Sequence, residues 1–309
     1  MTTRPAETFL RMRILLTGKT GQIGWELERE LAGLGEVTAT GRQELDLSQA
    51  DQIRACVRRV RPDLIVNAAA YTAVDQAEKE PDLAMAINGA APGIFAEEAQ
   101  KSGAVMIHYS TDYVFNGEKN TGPYVEDDPP GPMSVYGQTK LAGELAIAKQ
   151  EIPHLILRTS WIYGLRGKNF LQTILRLAKE REELRIVNDQ TGSPTWCRSV
   201  ATATRRIVAR LSASSAGKNI SSLKSVSGVY HLSCAGETSW HGFARAIVDS
   251  AKFDPPPRVV PIPTSEYPTP ARRPRYSVLS NAKVQRVLEI ELPNWKEALQ
   301  QCLKNNTLS

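Results

Sequence analysis

The chain has 309 residues, with 38 Lys+Arg against 33 Asp+Glu, a net charge of +5 and 41% apolar residues. That length sustains a sizeable core without staples, and the composition excludes disordered and collagen-like chains. The longest apolar run, residues 64–70, is far short of the roughly 20 residues a membrane helix needs, and no basic block interleaved with aromatics points to nucleic acid.

Residues 1–11 carry no apolar segment of a secretory signal and read as a frayed extension, with Met12 as an alternative start. Residues 12–17 (MRILLT) form an apolar run ending at Gly18, as a buried parallel strand does on entering a tight turn. Ile23, Leu27, Leu31 and Leu34 then recur at helical spacing, and Gly35 stops the helix. A second strand is expected over 37–40, a helix over 49–60 closed by Pro62, and a third strand over 64–70. Pro81 opens a long helix reaching about residue 101. Strands over 104–110 and 154–158 flank a helix over 135–149. This alternation implies a parallel sheet with helices on both faces.

After Trp161 the rhythm changes. Helices are expected over 170–179 and 199–211, and short strands over 185–187 and 229–233. The Ser/Gly/Lys-rich stretch 212–227 reads as a flexible surface loop, and the proline-rich stretch 255–274 excludes regular helix. The expected organisation is a nucleotide-binding domain over 12–160 and a smaller C-terminal α/β lobe over 161–309, with some later segments returning to the first sheet. Cys56, Cys197, Cys234 and Cys302 make no CxxC and no His-containing ligand pattern. They read as buried thiols of a reducing cytoplasm, with no metal site.

The chemistry concentrates at strand ends. Gly18, Gly21 and Gly24 form GxxGxxG between the first strand and first helix, a turn that lets backbone approach a pyrophosphate at a helix N-terminus. The second strand ends Thr40-Gly41-Arg42, without the acid that favours NAD. Arg42 is either a partner for a 2′-phosphate, favouring NADPH, or a solvated charge. Asp46, beside Leu47, either approaches the adenine or caps the following helix. Asn67 and the small residues Ala68, Ala69 and Ala70 leave room for a cofactor at the third strand's end. Tyr136 and Lys140 share one helix face, so the ammonium is expected to depress the phenol pKa and make a general acid. Thr111, ending the fourth strand, is placed to hold a carbonyl oxygen.

These features resemble the extended short-chain dehydrogenase/reductase family. The likeness spans nearly all of 12–300 and rests on GKTGQIGWEL (18–27), RPDLIVNAAAYTAVDQAE (61–78), HYSTDYVFNG (108–117), VYGQTKLAGE (135–144), LRTSWIYG (157–164), VNDQTGSPT (187–195) and YPTPARRP (267–274). It implies a Rossmann-type doubly wound sheet with a sugar-nucleotide lobe, and a Thr111/Tyr136/Lys140 triad. It implies cofactor contacts at Gly21, Gln22, Ile23, Ala70, Tyr71 and Thr72, and substrate contacts at Thr111, Asp112 and Trp161. The activity implied is NADPH-dependent reduction, with NADH usable, of the 4-keto group of a dTDP-linked 6-deoxy sugar.

Two rivals remain. Sugar-nucleotide dehydratases need an Asp-Glu pair, whereas Asp112 is followed by Tyr113; an epimerase or another reductase stays open. A non-catalytic regulatory subunit like that of methionine adenosyltransferase also shares this pattern. Some relatives form dimers bridged by a metal at acidic residues. Here Glu26 would be one ligand, but the segment expected to supply the other runs to Arg198. A monomer, or a dimer without a metal bridge, is expected. Trp161 is read as a nucleotide- or sugar-stacking residue or as core. Asn88 either orders a water near Lys140 or sits polar on a helix face. His108, His154, His231 and His241 read as structural, and Arg272 and Arg273 as solvated or as a diphosphate clamp.

Overall fold

Chain order and hydrogen bonding make one central sheet of six parallel strands, ordered β10 (Gly228–His231), β5 (His154–Thr159), β4 (Val105–Thr111), β3 (Leu64–Asn67), β1 (Met12–Thr17) and β2 (Gly35–Thr40). The computed structural model describes residues 12–213 and 220–306; the expected extension at 1–11 lies outside them. β1 (Met12–Thr17), α1 (Gln22–Leu31), β2 (Gly35–Thr40), α2 (Ala50–Val60) and β3 (Leu64–Asn67) follow the expected alternation. After α3 (Val74–Ala77), the long helix expected from Pro81 divides into α4 (Pro81–Met85), a π-helical turn (Ala86–Ala90) and α5 (Ala91–Ser102). β4 (Val105–Thr111), α6 (Val135–Ala148) and β5 (His154–Thr159) complete this half.

The second half contains β6 (Ile162–Tyr163), α7 (Phe170–Glu180), β7 (Glu183–Val187), β8 (Thr191–Gly192), β9 (Thr195–Trp196) and α8 (Cys197–Ala213). β10 (Gly228–His231), β11 (Thr238–Ser239), α9 (Trp240–Ala251), β12 (Arg258–Ile262), α10 (Ala282–Leu288) and α11 (Trp295–Asn306) follow. β10 pairs in parallel with β5 and so joins the first sheet, while β12 pairs with β7 in a separate two-stranded sheet.

Strand side chains alternate faces, and the core records it. Ile14 and Leu16 of β1 enter the cluster that holds Leu27 of α1 and Val200 of α8. Leu15, between them, enters the opposite cluster with Ile53 of α2 and Phe95 of α5. Both faces are covered, which is why these strands are apolar without alternation. Truncating Leu15 to Ala would cost about 2–5 kcal/mol.

Three differences from expectation have physical causes. β3 stops at Asn67, because Ala68–Ala70 leave the sheet to meet the Gly18 turn; a Cβ on Gly18 would lie 2.8 Å from Ala69 N. The loop expected over 212–227 lies partly outside the described residues, but Ile220–Val226 is a 3₁₀ helix whose Leu223 is buried in the larger core. The unexpected α9 buries Phe243, Ala244, Ile247 and Val248, and the Ser239 hydroxyl accepts the Gly242 N–H at its N-terminus.

The chain leaves β1 for β2 on one side, then crosses back to β3 on the other. The strand order therefore reverses beside β1, and a crevice opens at the carboxyl ends of the strands, where α/β sheets bind ligands.

Candidate active site

A cleft of about 790 Å³ runs along that edge, bordered by the Gly18 turn, the β2 tip, the segment after β3, the end of β4 and α6. Gly18 has φ of +76°, a conformation that favours glycine. The Gly21 N–H returns to Gly18 O at 2.9 Å, and Gly21 precedes α1 with no side-chain cap, leaving the helix's first N–H groups for a ligand. Gln22 and Ile23 also border the cleft. Gly24 is buried beneath the turn instead; a Cβ there would lie 2.0 Å from Gly18 O.

At the β2 tip, Arg42 is exposed on the cleft wall. Glu44, next to this tip, is engaged within the turn: its Oε2 accepts the Gly41 N–H at 2.9 Å and its Oε1 accepts Lys19 Nζ at 2.6 Å. Asp46 accepts both the N–H and the hydroxyl of Ser48, at 2.9 and 2.8 Å, which holds its carboxyl below the usual range. It closes the turn leading to α2 and, with Leu47, borders the cleft.

Ala69, Ala70, Tyr71 and Thr72 form the wall after β3. Asn88, in the π-helical turn, fixes this wall. Its Oδ1 accepts the Tyr71 N–H at 2.8 Å, and its Nδ2 donates to Tyr71 O at 3.0 Å and to Thr139 Oγ1 at 3.2 Å. Asn88 is thus a polar residue on a helical turn that pins a loop to α6. Such π turns often mark functional segments.

α6 lies close under the cleft because Gly137 and Gly143 allow it. Added Cβ atoms would meet Tyr113 O at 2.3 Å and Asn88 O at 2.1 Å. Thr111, Tyr136 and Lys140 all border the same space. Lys140 is buried, donates to Tyr109 O at 2.6 Å, and burial pulls its pKa down to about 8, partly opposed by Glu144. Tyr136 packs edge-on against Tyr113, with centroids 5.7 Å apart. Its phenol is not depressed as expected. Burial pushes it up to about 12, a hydrogen bond with Thr111 opposes this, and the Asp112 charge adds to it. The helical spacing registers the ammonium but not the desolvation of the phenol.

Asp112 is buried at the cleft floor, accepting Thr111 Oγ1 at 3.1 Å and Ser160 Oγ at 3.2 Å. Burial raises its carboxyl to about 6 against hydrogen bonds from Ser277, Thr111 and Ser160. Trp161 has a left-handed backbone (φ +47°) and stacks on Trp240 at 3.4 Å, both on the cleft wall. Gly192 makes room for it, since a Cβ there would lie 2.4 Å from the indole. The sequence reading did not single out Trp240; no local pattern connects it to Trp161.

Elsewhere, Arg273 is committed to Asp75 at 2.8 Å, which ties the proline-rich loop to α3, while Arg272 is exposed. His154, His231 and His241 contact backbone carbonyls, as structural histidines do. His108, buried, faces side chains instead: its Nε2 lies 3.3 Å from Lys140 Nζ.

A dinucleotide-type turn, a hydroxyl at the end of β4, and Tyr and Lys one helical turn apart in one cleft define the short-chain dehydrogenase/reductase class. The comparisons with known proteins narrow this. The chain belongs to the RmlD family: the model described as "RmlD substrate binding domain" matches residues 12–308. It is 49% identical over 300 residues to a dTDP-4-dehydrorhamnose reductase of Burkholderia thailandensis, covering 95% of this chain and 99% of that one. A relative of the same name from Escherichia coli K12 is 44% identical, covering 94% and 97%. Among solved structures, the Bacillus anthracis dTDP-4-dehydrorhamnose reductase in complex with NADP superposes with a TM-score of 0.86 at 35% identity, covering 96% and 99%. A Thermus thermophilus UDP-glucose 4-epimerase, 20% identical with a TM-score of 0.77, shares the fold.

Proposed function

We propose that this protein is an enzyme that uses NADPH to reduce the 4-keto group of dTDP-4-dehydro-β-L-rhamnose, giving dTDP-β-L-rhamnose. The observation that carries the reading is the meeting of Thr111, Tyr136 and Lys140 with the Gly18 turn in one cleft. Relatives called dTDP-4-dehydrorhamnose reductase, matching over nearly the whole chain, support the substrate.

The residues present fit the cofactor. The cradle between Gly18 and Ala69 has no space for a side chain, and the start of α1 offers uncapped N–H groups to a pyrophosphate. Arg42 and Lys19 would meet a 2′-phosphate, and Lys140 would hold the nicotinamide ribose. When bound, NADPH supplies the hydride that the chain cannot. Tyr136 then donates its phenolic proton to the oxygen that becomes the new hydroxyl, and Thr111 donates a hydrogen bond to the same oxygen. Lys140 lowers the cost of the phenolate left behind. Thr111 has one hydroxyl hydrogen, which it donates to Asp112 at 3.1 Å, so donation to the substrate oxygen exchanges that bond for the new one. Trp161, backed by Trp240, offers a flat face to the sugar nucleotide.

Tyr113 stands where a dehydratase would need its second acid, so elimination of water is not supported. Among the described residues no helix is long and apolar enough to cross a membrane, and Cys56, Cys197, Cys234 and Cys302 are free and buried. Together these favour a cytoplasmic enzyme. Purified protein given NADPH and the keto sugar should consume the reduced nicotinamide and form the 4-hydroxy sugar. Absence of both overturns the reading.

A further inference from the structure

From Lys140, buried polar side chains cross the sheet from β4 through β3 to β1 and return to the cleft at Thr17. Lys140 Nζ lies 3.3 Å from His108 Nε2, and His108 Nδ1 lies 3.1 Å from Asn67 Nδ2. Asn67 Oδ1 accepts Thr17 Oγ1 at 2.6 Å. Thr17 in turn accepts the Ala69 N–H at 3.2 Å and borders the cleft beside the Gly18 turn. Lys140 is 2% exposed and the other three 1% or less.

We propose that His108 is a positioning residue for Lys140: backed by Asn67 and Thr17, it governs the charge of the ammonium and where its hydrogens point. This rests on the role given to Lys140 above.

Hydrogen counting carries the inference. A charged Lys140 has three N–H groups: one meets Tyr109 O at 2.6 Å, one meets His108 Nε2, and one faces the cleft. His108 Nε2 must then be bare, so Nδ1 carries the ring hydrogen and needs the oxygen of the Asn67 amide. A neutral Lys140 has two N–H groups and a lone pair. It keeps Tyr109 O and the cleft, and its lone pair accepts the Nε2–H of His108. Nδ1 is then bare and accepts from Asn67 Nδ2, the arrangement that leaves Asn67 Oδ1 for the Thr17 hydroxyl. Each charge state of Lys140 therefore matches one tautomer of His108 and one orientation of the Asn67 amide. With Oδ1 turned to His108, the Thr17 hydroxyl accepts from Asn67 Nδ2 instead of donating to Oδ1.

The imidazole must stay neutral for this to work. Burial, and then the Lys140 charge, hold its pKa well below the ordinary value. Of the other groups around Lys140, Glu144 on α6 is engaged by Arg158 of β5 at 2.9 and 2.6 Å. Asp112, at the end of β4, is held by the Thr111 and Ser160 hydroxyls, and Tyr136 faces the cleft. The Tyr109 phenol is engaged with Thr204 at 2.6 Å. His108 is the ring whose nitrogen meets Nζ.

The test is the pH profile of kcat/KM with NADPH and the keto sugar, from about pH 6 to 10. Replacing His108 by Phe keeps a ring but removes the acceptor from the ammonium. The alkaline limb should then move down by at least about half a pH unit. His108→Gln returns an amide oxygen and should recover part of that shift. Nitrogen-15 spectra of labelled wild-type protein, with the His108 signal assigned by its loss in His108→Gln, should show the tautomer changing as that limb is crossed.

A single His108 tautomer at every pH overturns the proposal. So does a His108→Phe limb identical to wild type, provided Tyr136→Phe is inactive. Should Tyr136→Phe retain full activity, the reading of the site fails first. If His108→Phe does not fold, the His108→Gln profile and the wild-type spectra decide.

Discussion

Glu98 of α5 accepts both Arg58 of α2, at 2.8 and 3.0 Å, and Lys101, at 2.8 Å, with its own side chain only 3% exposed. This stitches together the two helices that cover one face of the sheet. Hydrogen bonding from Arg58, with further help from Lys101, lowers its carboxyl to about 2, against the opposing effect of burial. The sign follows from linkage. A carboxylate with a depressed folded-state pKa contributes stability above its unfolded pKa and loses it as pH falls through the folded value. Glu98→Gln should therefore lower the Tm at neutral pH, and the difference should shrink between about pH 4.5 and 2. Thermal melts across that range check it. An equal Tm difference at every pH would show that shape, not charge, holds the helices.

Tyr136→Phe should reduce turnover by about 10²–10⁴-fold while NADPH still binds. The phenol is pushed up to about 12 by burial, so at neutral pH it keeps its proton, as an acid must. Single-turnover rates and fluorescence titration with NADPH separate the two effects. Turnover within about twofold of wild type would remove Tyr136 from the mechanism.

The alternating half of the fold is legible because strands buried on both faces carry consecutive apolar residues, as Ile14–Leu16 of β1 and Leu64–Val66 of β3 do. The cleft is legible for a related reason: glycines and small residues mark places where backbone must come close, as Gly18 does to Ala69. What escapes is pairing across long sequence separations. Nothing near Glu44 announces that it will meet Lys19, nor does Asn88 announce Tyr71. Trp161 and Trp240 lie far apart in the chain, and His108 touches Lys140 only because α6 folds back over β4. The phenol of Tyr136 shows the other limit, since spacing places charges but burial sets their effect.

Cofactor choice should depend on the Arg42, Lys19 and Glu44 cluster. Arg42→Ala should weaken NADPH more than NADH, because only the former brings a phosphate to the β2 tip. Glu44→Gln should act in the opposite direction, removing a negative charge held 2.6 Å from Lys19. Comparison of kcat/KM for both cofactors checks this; equal losses on Arg42→Ala would make Arg42 an ordinary surface charge.

Trp240→Ala should raise the KM for the sugar nucleotide by about two- to tenfold, the scale of one lost aromatic contact. The face of Trp161 that meets Trp240 at 3.4 Å would lose its support, while the Gly18 turn is untouched. NADPH affinity should therefore stay within about twofold, measured by titration. A change in NADPH affinity without one in KM would place the tryptophan pair on the cofactor side of the cleft.

Assembly should not depend on a divalent metal. A hard cation needs several oxygen ligands converging on it, and carboxylates supply them best. On α1, Glu26 already accepts Arg198 Nε of α8 at 3.1 Å. Glu30 accepts Thr202 at 3.0 Å and lies 3.9 Å from Arg205. The acids of this helix face are answered within the chain by fixed positive charges. A cation brought to Glu26 would have to displace a guanidinium and then sit beside it, and in a partly dry interface that repulsion is strong. The proposed chemistry also leaves nothing for such a metal to do, since Tyr136 supplies the proton and NADPH the hydride. Light scattering before and after EDTA should give the same mass, whether monomer or dimer. A dimer that falls to monomer on chelation would mean that carboxylates other than Glu26 and Glu30 meet across its interface.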